Sequence, residues 1–252
     1  MTLNPTPAPG GRPPRDLLRG ASLFLDFDGT LVDIAPSPDE VLVTSELGAL
    51  LERLLDRLDG RVAILTGRSS QEVEELIGSD RLTIGGHHGL EARAAGKVIL
   101  SADRPPMLDE VVRQLGSFAS EQPCVLVEEK PLGVAIHFRA APSEEEACRT
   151  AVEEAALRSG LVIQPGKMVF ELRPGGTNKG EALRKLASAS PFSGFRPVFM
   201  GDDLTDEPAF LAARQLGGAG VLIGDARPSG ANYRLATATQ TIEWLGDACD
   251  AT

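Results

Sequence analysis

Two aspartates, Asp26 and Asp28, stand where a short apolar run, Leu23-Phe24-Leu25, gives way to Gly29. A second acidic pair, Asp202-Asp203, follows another apolar run, Pro197 to Met200, and Thr66 closes a third, Val62 to Leu65. In an open parallel sheet, ligands bind beyond the carboxyl ends of the strands, so these residues are expected to converge despite their separation in sequence. Three carboxylates in one place repel one another unless a cation or protons intervene. A hard divalent ion with oxygen ligands, Mg²⁺, meets that need. Lys179 adds a positive charge in the first turn of a helix preceded by Thr177-Asn178, and a helix N-terminus with a lysine beside it suits phosphate. Together these groups point to phosphoryl transfer through a carboxylate. Each alone is as easily a loop acid, a turn threonine or a solvated lysine. In this order, each at the end of an element, coincidence is a poor account.

The elements that would hold these groups follow from periodicity. Leu23 to Asp26, Val62 to Leu65 and Leu82 to Ile84 read as buried strands. Between them lie a leucine-spaced helix from Leu47 to Leu58, stopped by Gly60, and a helix opened by Ser69-x-x-Glu72 and closed by Gly78. Strand, helix, strand, helix, strand predicts an open parallel α/β sheet. The pattern then changes to helix (106–121), hairpin (Cys124 to Glu129, Leu132 to Arg139), helix (from Ser143-x-x-Glu146 to Gly160) and hairpin (Leu161 to Gln164, Lys167 to Leu172). That is an α+β unit with an antiparallel sheet. After Gly175-Gly176 the α/β pattern resumes: Asn178 caps a helix, Thr205 opens a short one, and Val221 to Ile223 is a further strand. The expected organisation is a tail (1–20), an α/β domain of 21–104 with 175–252, and an α+β domain of 105–174 inserted into it.

Composition narrows the class. With 36 acidic against 25 basic residues the net charge is −11, which argues against a nucleic-acid partner. No apolar run approaches the roughly 20 residues of a membrane span, so no membrane partner is expected. The proline-rich start lacks the apolar segment of a secretory signal and reads as disordered. Cys124, Cys148 and Cys249 have no metal-type spacing, which suggests free thiols in a reducing, cytoplasmic setting.

Asp26-Phe-Asp-Gly-Thr-Leu31, Leu65-Thr-Gly-Arg68, Lys179-Gly180 and Gly201-Asp-Asp-x-Thr-Asp206 resemble the four motifs of the haloacid-dehalogenase-like phosphatases. The resemblance implies a Rossmann-like parallel-sheet core with an inserted cap. It implies Asp26 as the nucleophile that becomes an aspartyl phosphate, and Asp28 as the acid that protonates the leaving group and then activates water. Thr66 and Lys179 would hold phosphoryl oxygens. Asp26, Asp28 (through its carbonyl) and Asp202 would hold Mg²⁺, with Asp203 and Asp206 orienting the metal's waters.

Finer stretches resemble the trehalose-6-phosphate phosphatases: Asp33-Ile-Ala-Pro-Ser-Pro38, Gly86-His-His-Gly-Leu-Glu91, Glu128-Glu-Lys130, His137-Phe-Arg139 and Gly166-Lys-x-Val-x-Glu-Leu-Arg-Pro174. This resemblance implies hydrolysis of trehalose 6-phosphate in trehalose biosynthesis. It also implies contacts to substrate from Arg68, His88, Glu129, Lys130, His137, Arg139, Lys167 and Glu171, and raises a trehalose-6-phosphate synthase of the same pathway as a partner. Alternation supports the cap as a two-faced sheet. His137 and Arg139 oppose Val134, Ile136 and Phe138, while Lys167, Glu171 and Arg173 oppose Met168, Phe170 and Leu172. The rival readings are a related capped phosphatase for sucrose phosphate or a glycosyl-phosphoglycerate, and a noncatalytic regulator that binds sugar phosphate. The intact nucleophile and proton donor count against the last.

Overall fold

The computed structural model describes residues 8–35 and 40–251; positions 1–7 of the expected tail and 36–38 of the Asp33 to Pro38 stretch lie outside the described residues. In chain order the elements begin with β1 (Ala21–Leu25), α1 (Ser45–Arg57), β2 (Val62–Leu65), α2 (Ser70–Ile77), β3 (Thr83–Gly86), β4 (Glu91–Ala94) and β5 (Lys97–Ser101). Next come α3 (Leu108–Ser120), β6 (Leu126–Lys130), β7 (Gly133–His137), α4 (Glu145–Ser159), β8 (Val162–Gly166) and β9 (Val169–Arg173). The chain ends with α5 (Lys179–Ala187), β10 (Arg196–Gly201), α6 (Glu207–Gln215), β11 (Ala219–Ile223), β12 (Tyr233–Leu235) and α7 (Ala238–Ala251). Two compact units result, one of the residues up to Ser101 with those from Asn178 onward, the other Ala102–Thr177.

The larger unit is an eight-stranded sheet in the order β12-β11-β10-β1-β2-β3-β4-β5. It is parallel from β12 to β3, and β4 and β5 extend it as an antiparallel edge. Apart from β12, the parallel strands are buried on both faces, which is why they read as continuous apolar runs. Leu23, Leu25, Val62, Ile64, Val198 and Met200 pack with residues of α1, α2 and α7. Their neighbours Phe24, Ala63, Leu65 and Phe199 pack on the other side with residues of α5 and α6. The β4–β5 edge and β12 were not expected. Their runs are short, and all five residues of β5 are exposed, so the strands lack the buried pattern that marks the others.

The smaller unit is an antiparallel sheet, β6-β7-β9-β8, with α3 and α4. The expected apolar face is realised: Val134, Ile136, Phe138, Phe170 and Leu172 pack with Leu108, Val111, Leu115, Cys148 and Val152 of the helices. The α/β sheet with a separate antiparallel α+β unit agrees with the fold class read from the sequence.

Three local expectations are corrected. Residues 8–20 do not behave as a free tail: Trp244 donates its indole N–H to the Pro13 carbonyl at 2.9 Å, Arg15 pairs with Asp247, and Leu17 and Leu18 are buried. Composition marked the prolines but not the apolar pair behind them. Ser143 does not cap α4; a 3₁₀ turn at Pro142–Glu144 precedes that helix, whose start has no side-chain cap. The second hairpin turns at Lys167-Met168, with Met168 at φ +63°, rather than at Pro165-Gly166. Pro165 is accommodated because β8 is an edge strand, where a missing N–H costs no ladder bond.

Candidate active site

Asp26 directly follows β1, and its N–H donates to the Met200 carbonyl at 2.8 Å, continuing the β1–β10 pairing. Its side chain is 6% exposed. Lys179 is the first residue of α5, which is capped by Asn178 accepting from Glu181 N at 3.0 Å. The buried Lys179 ammonium donates to Asp26 Oδ1 at 2.5 Å and to Asp206 Oδ1 at 2.6 Å. Asp206 Oδ2 accepts from Asp202 N at 2.8 Å and from Asp203 N at 2.9 Å. Residues from three distant stretches are thereby tied into one network. Asp206, expected only to orient waters, is its hub: fully buried, it serves a lysine and two backbone N–H groups at once. Asp203 caps the 3₁₀ turn at Leu204–Asp206 reciprocally with Asp206, so it and not Thr205 opens that turn.

Asp26, Asp202 and Asp206 each offer an oxygen within 4.8 Å of the others. Burial pushes Asp26 well above the usual carboxylate range despite the pull of Lys179. Burial and the charge of Asp206 push Asp202 up to about 7. Burial opposes the charge on Lys179, but Asp206 and Asp26 outweigh it and keep the ammonium protonated. One lysine thus leaves acidic charge uncompensated, and the all-oxygen donor set suits a hard divalent cation. Asp206 is committed to Lys179 and to two backbone N–H groups, whereas Asp26 Oδ2 accepts a long 3.4 Å bond from the Thr30 hydroxyl, so Asp26 and Asp202 are the carboxylates better placed to hold one. Gly29 permits this approach: it has φ +81°, and a Cβ there would lie 2.3 Å from Asp202 Oδ2.

Asp28 is not part of this cluster of carboxylates. Its side chain is gripped in fork geometry by Arg68, with Nε to Oδ2 at 2.8 Å and Nη2 to Oδ1 at 3.0 Å. Arg68 Nη1 pairs in turn with Glu72 of α2. Burial works against the guanidinium, but Asp28 and Glu72 raise its affinity for the proton. Arg68, expected at the substrate, therefore spends both edges of its fork on neighbouring acids.

Thr66 is buried beyond β2, and its hydroxyl accepts from Arg68 N at 3.1 Å. His88 lies behind this loop rather than at an open surface: its N–H donates to the Thr66 carbonyl at 2.9 Å, and His87 N donates to the Arg68 carbonyl at 2.9 Å. A Cβ on Gly67 would meet His88 Nε2 at 2.9 Å. Glu91, which closes the Gly86 to Glu91 stretch, accepts from Ser70 N and braces the start of α2.

In the smaller unit, Lys130 Nζ pairs with Glu171 Oε2 at 2.8 Å, and His137 Nε2 meets Glu128 Oε2 at 2.8 Å. The register places Ala135 between Glu128 and Glu171, so these groups share the polar face with small residues beneath them. Glu129 pairs with Val134, whose side chain enters the apolar core, and its carboxylate goes to Arg104 at 2.6 Å. The structure thus puts Glu128, not Glu129, with Lys130; strict alternation along β6 was the signal available for it. Lys167 is exposed in the hairpin turn, and Arg139, beyond the end of β7, reaches the Lys167 carbonyl at 3.5 Å.

The fold is that of a haloacid-dehalogenase-like hydrolase. A haloacid dehalogenase-like hydrolase from Bacteroides thetaiotaomicron shares the fold with a TM-score of 0.64 at 17% identity, over 90% of this chain and 98% of that one. The trehalose-phosphatase family model matches residues 24–238, and the chain belongs to that family. It is 36% identical over 224 residues to the trehalose-6-phosphate phosphatase of Escherichia coli, covering 88% of this chain and 84% of that protein. It is 38% identical over 214 residues to a probable trehalose-phosphate phosphatase of Sinorhizobium fredii, covering 82% and 79%. A crystal structure of a trehalose-6-phosphate phosphatase related protein superposes with a TM-score of 0.79 at 28% identity, over 92% and 98% of the two chains.

Proposed function

We propose that this chain hydrolyses trehalose 6-phosphate to trehalose and inorganic phosphate, with Mg²⁺ held by Asp26 and Asp202 and an aspartyl phosphate formed on Asp26. The observation that carries the reading is Lys179 bridging Asp26 and Asp206 beside Asp202, in a chain of the trehalose-phosphatase family. When bound, the cation neutralises the acids and polarises the phosphoryl oxygens. Asp26 attacks phosphorus, the bond to the sugar oxygen breaks, and Asp28, released from Arg68 and protonated before the attack, gives that oxygen its proton. Asp28 then accepts a proton from water as the water attacks the aspartyl phosphate, releasing phosphate and restoring Asp26. Arg68 grips both oxygens of the Asp28 carboxylate, a pairing that must open for Asp28 to carry a proton. Lys179 holds Asp26 and, with the Thr66 hydroxyl, lines the phosphoryl site.

The inserted unit, as a cap, would recognise the sugar through the polar face carrying Glu128, Lys130, His137 and Glu171. The three free thiols fit a reducing compartment, and among the described residues no helix is long and apolar enough to cross a membrane. On the first ground we place the activity in the cytoplasm, downstream of a synthase that makes the sugar phosphate.

The test is phosphate release from trehalose 6-phosphate, sucrose 6-phosphate and glucose 6-phosphate, with and without Mg²⁺. The expected result is preference for trehalose 6-phosphate and loss of turnover in EDTA, restored by Mg²⁺. Asp26→Asn, shown free of deamidation, is expected to abolish turnover. Turnover by that variant would remove Asp26 as the nucleophile, and preference for another sugar would overturn the substrate while leaving the chemistry.

A further inference from the structure

The loop carrying Asp202 is held from two sides, and one of the holders belongs to no motif seen in the sequence. On the N–H side, Asp206 accepts from Asp202 and Asp203. On the carbonyl side, Arg227 Nη2 donates to the oxygens of Asp203 at 3.0 Å and Asp202 at 3.3 Å. Arg227 lies in the segment between β11 and β12, so it reaches this loop across the end of the sheet. Its Nη1 is paired with Glu207 at the start of α6. Glu207 Oε2 also accepts from Gly230 N at 2.7 Å, which ties the far end of the Arg227 segment to the same carboxylate. The side chains of Arg227 and Glu207 are only 25% and 23% exposed.

We propose that Arg227 is a positioning residue for the cation site. Braced by Glu207, it fixes the backbone on either side of the Asp202–Asp203 peptide so that the Asp202 carboxylate meets Asp26 in one geometry. The inference rests on the reading of Asp26 and Asp202 as the cation-holding pair and extends it to a residue outside the motifs. Without the guanidinium, the two carbonyls lose their donor, Glu207 loses its counter-ion, and the loop is held from the Asp206 side alone. A cation must then order the loop as it binds, which lowers its affinity. The charge of Arg227 acts in the opposite sense. A guanidinium near a cation site repels the incoming ion, so removing charge alone tightens binding. The sign of the change therefore separates positioning from plain electrostatics. A merely structural role would lower thermal stability and leave the affinity of the folded protein unchanged.

The experiment is calorimetric binding of Mg²⁺ to the full chain in phosphate-free buffer, comparing the wild type with Arg227→Met, Arg227→Lys and Glu207→Gln. Circular dichroism establishes that each variant is folded. The expected result is a Kd raised about tenfold or more in Arg227→Met, the range for groups that orient metal ligands. A smaller rise is expected in Arg227→Lys, which keeps the charge but not the fork. If Arg227→Met does not fold, a weaker Kd in Arg227→Lys, where the charge is kept, carries the same support. An unchanged or tighter Kd in the folded Arg227 variants overturns this inference and leaves the reading of the site standing. Absence of Mg²⁺ binding by the wild type overturns both.

Discussion

Two lysines paired with acid, Lys179 buried and Lys130 partly buried, show how differently the two units are built. Lys179 lies between two carboxylates that the sheet brings together from 153 and 27 residues away in sequence. One of those acids also holds the backbone of the next loop. Lys130 pairs with Glu171 at 2.8 Å and lies near enough to Glu128 to stabilise its charge, on a four-stranded sheet whose helices pack on the other face. The first arrangement is a closed network in which every member has several duties. The second is a row of charged side chains on a polar face beside Gly133 and Ala135, with the apolar core on the opposite face. Under the proposed function, the first would place the reacting groups rigidly and the second would discriminate between sugars.

The sharpest way to break this comparison is Lys179→Met. It leaves Asp26 and Asp206 buried without their counter-ion, a loss worth about 3–5 kcal/mol for a buried pair. Chemical denaturation in metal-free buffer is expected to show destabilisation of that order, and phosphate release is expected to vanish. Next is Lys130→Met. It is expected to cut kcat/KM for trehalose 6-phosphate at least about tenfold, the equivalent of one hydrogen bond to a charged group. Hydrolysis of a small aryl phosphate should change little. Equal losses on both substrates would mean that Lys130 supports the fold and that the two lysines do not differ in kind.

A smaller effect concerns pH. Burial pushes Glu128 up, but the hydrogen bond from His137 and the charge of Lys130 outweigh it, and the carboxyl ends below its ordinary value. A carboxylate with a depressed folded pKa contributes stability that is present above the unfolded value, about 4.3. That contribution is lost as pH falls through the lower folded value. The fall in Tm on acidification through this range is expected to be shallower in Glu128→Gln than in the wild type; identical profiles would show that the pair adds nothing. The smallest expected effect is that of Glu129→Ala. Glu129 is exposed, lies off the polar face and pairs with the exposed Arg104, so kcat/KM should stay within about twofold, as surface pairs contribute little. A large loss would return Glu129 to the sugar site.

The strands were legible where burial on both faces made continuous apolar runs, as in Leu23 to Leu25 and Val62 to Leu65. Ser69 and Asn178 act as helix caps, as their spacing predicts, because capping is a local bargain between a side chain and an N–H three residues on. Edge strands such as β5 escaped notice because nothing buries them. The turn at Lys167-Met168 escaped because Pro-Gly is a turn signal only where the ladder needs the missing N–H.

By itself, the sequence determined the order of the elements, the α/β and α+β alternation, and the set of acids and the lysine able to do phosphoryl chemistry. These depend on composition and on periods of a few residues. Tertiary structure alone decided the division of labour among the acids. Which of Asp26, Asp28, Asp202, Asp203 and Asp206 faces a lysine, an arginine or another carboxylate is set by how three strand ends and two helix starts come together. The same is true of Glu128 over Glu129 and of Arg227 beneath the Asp202 loop. Ionic partners act through a few ångströms of space, and chain separation carries no information about such distances.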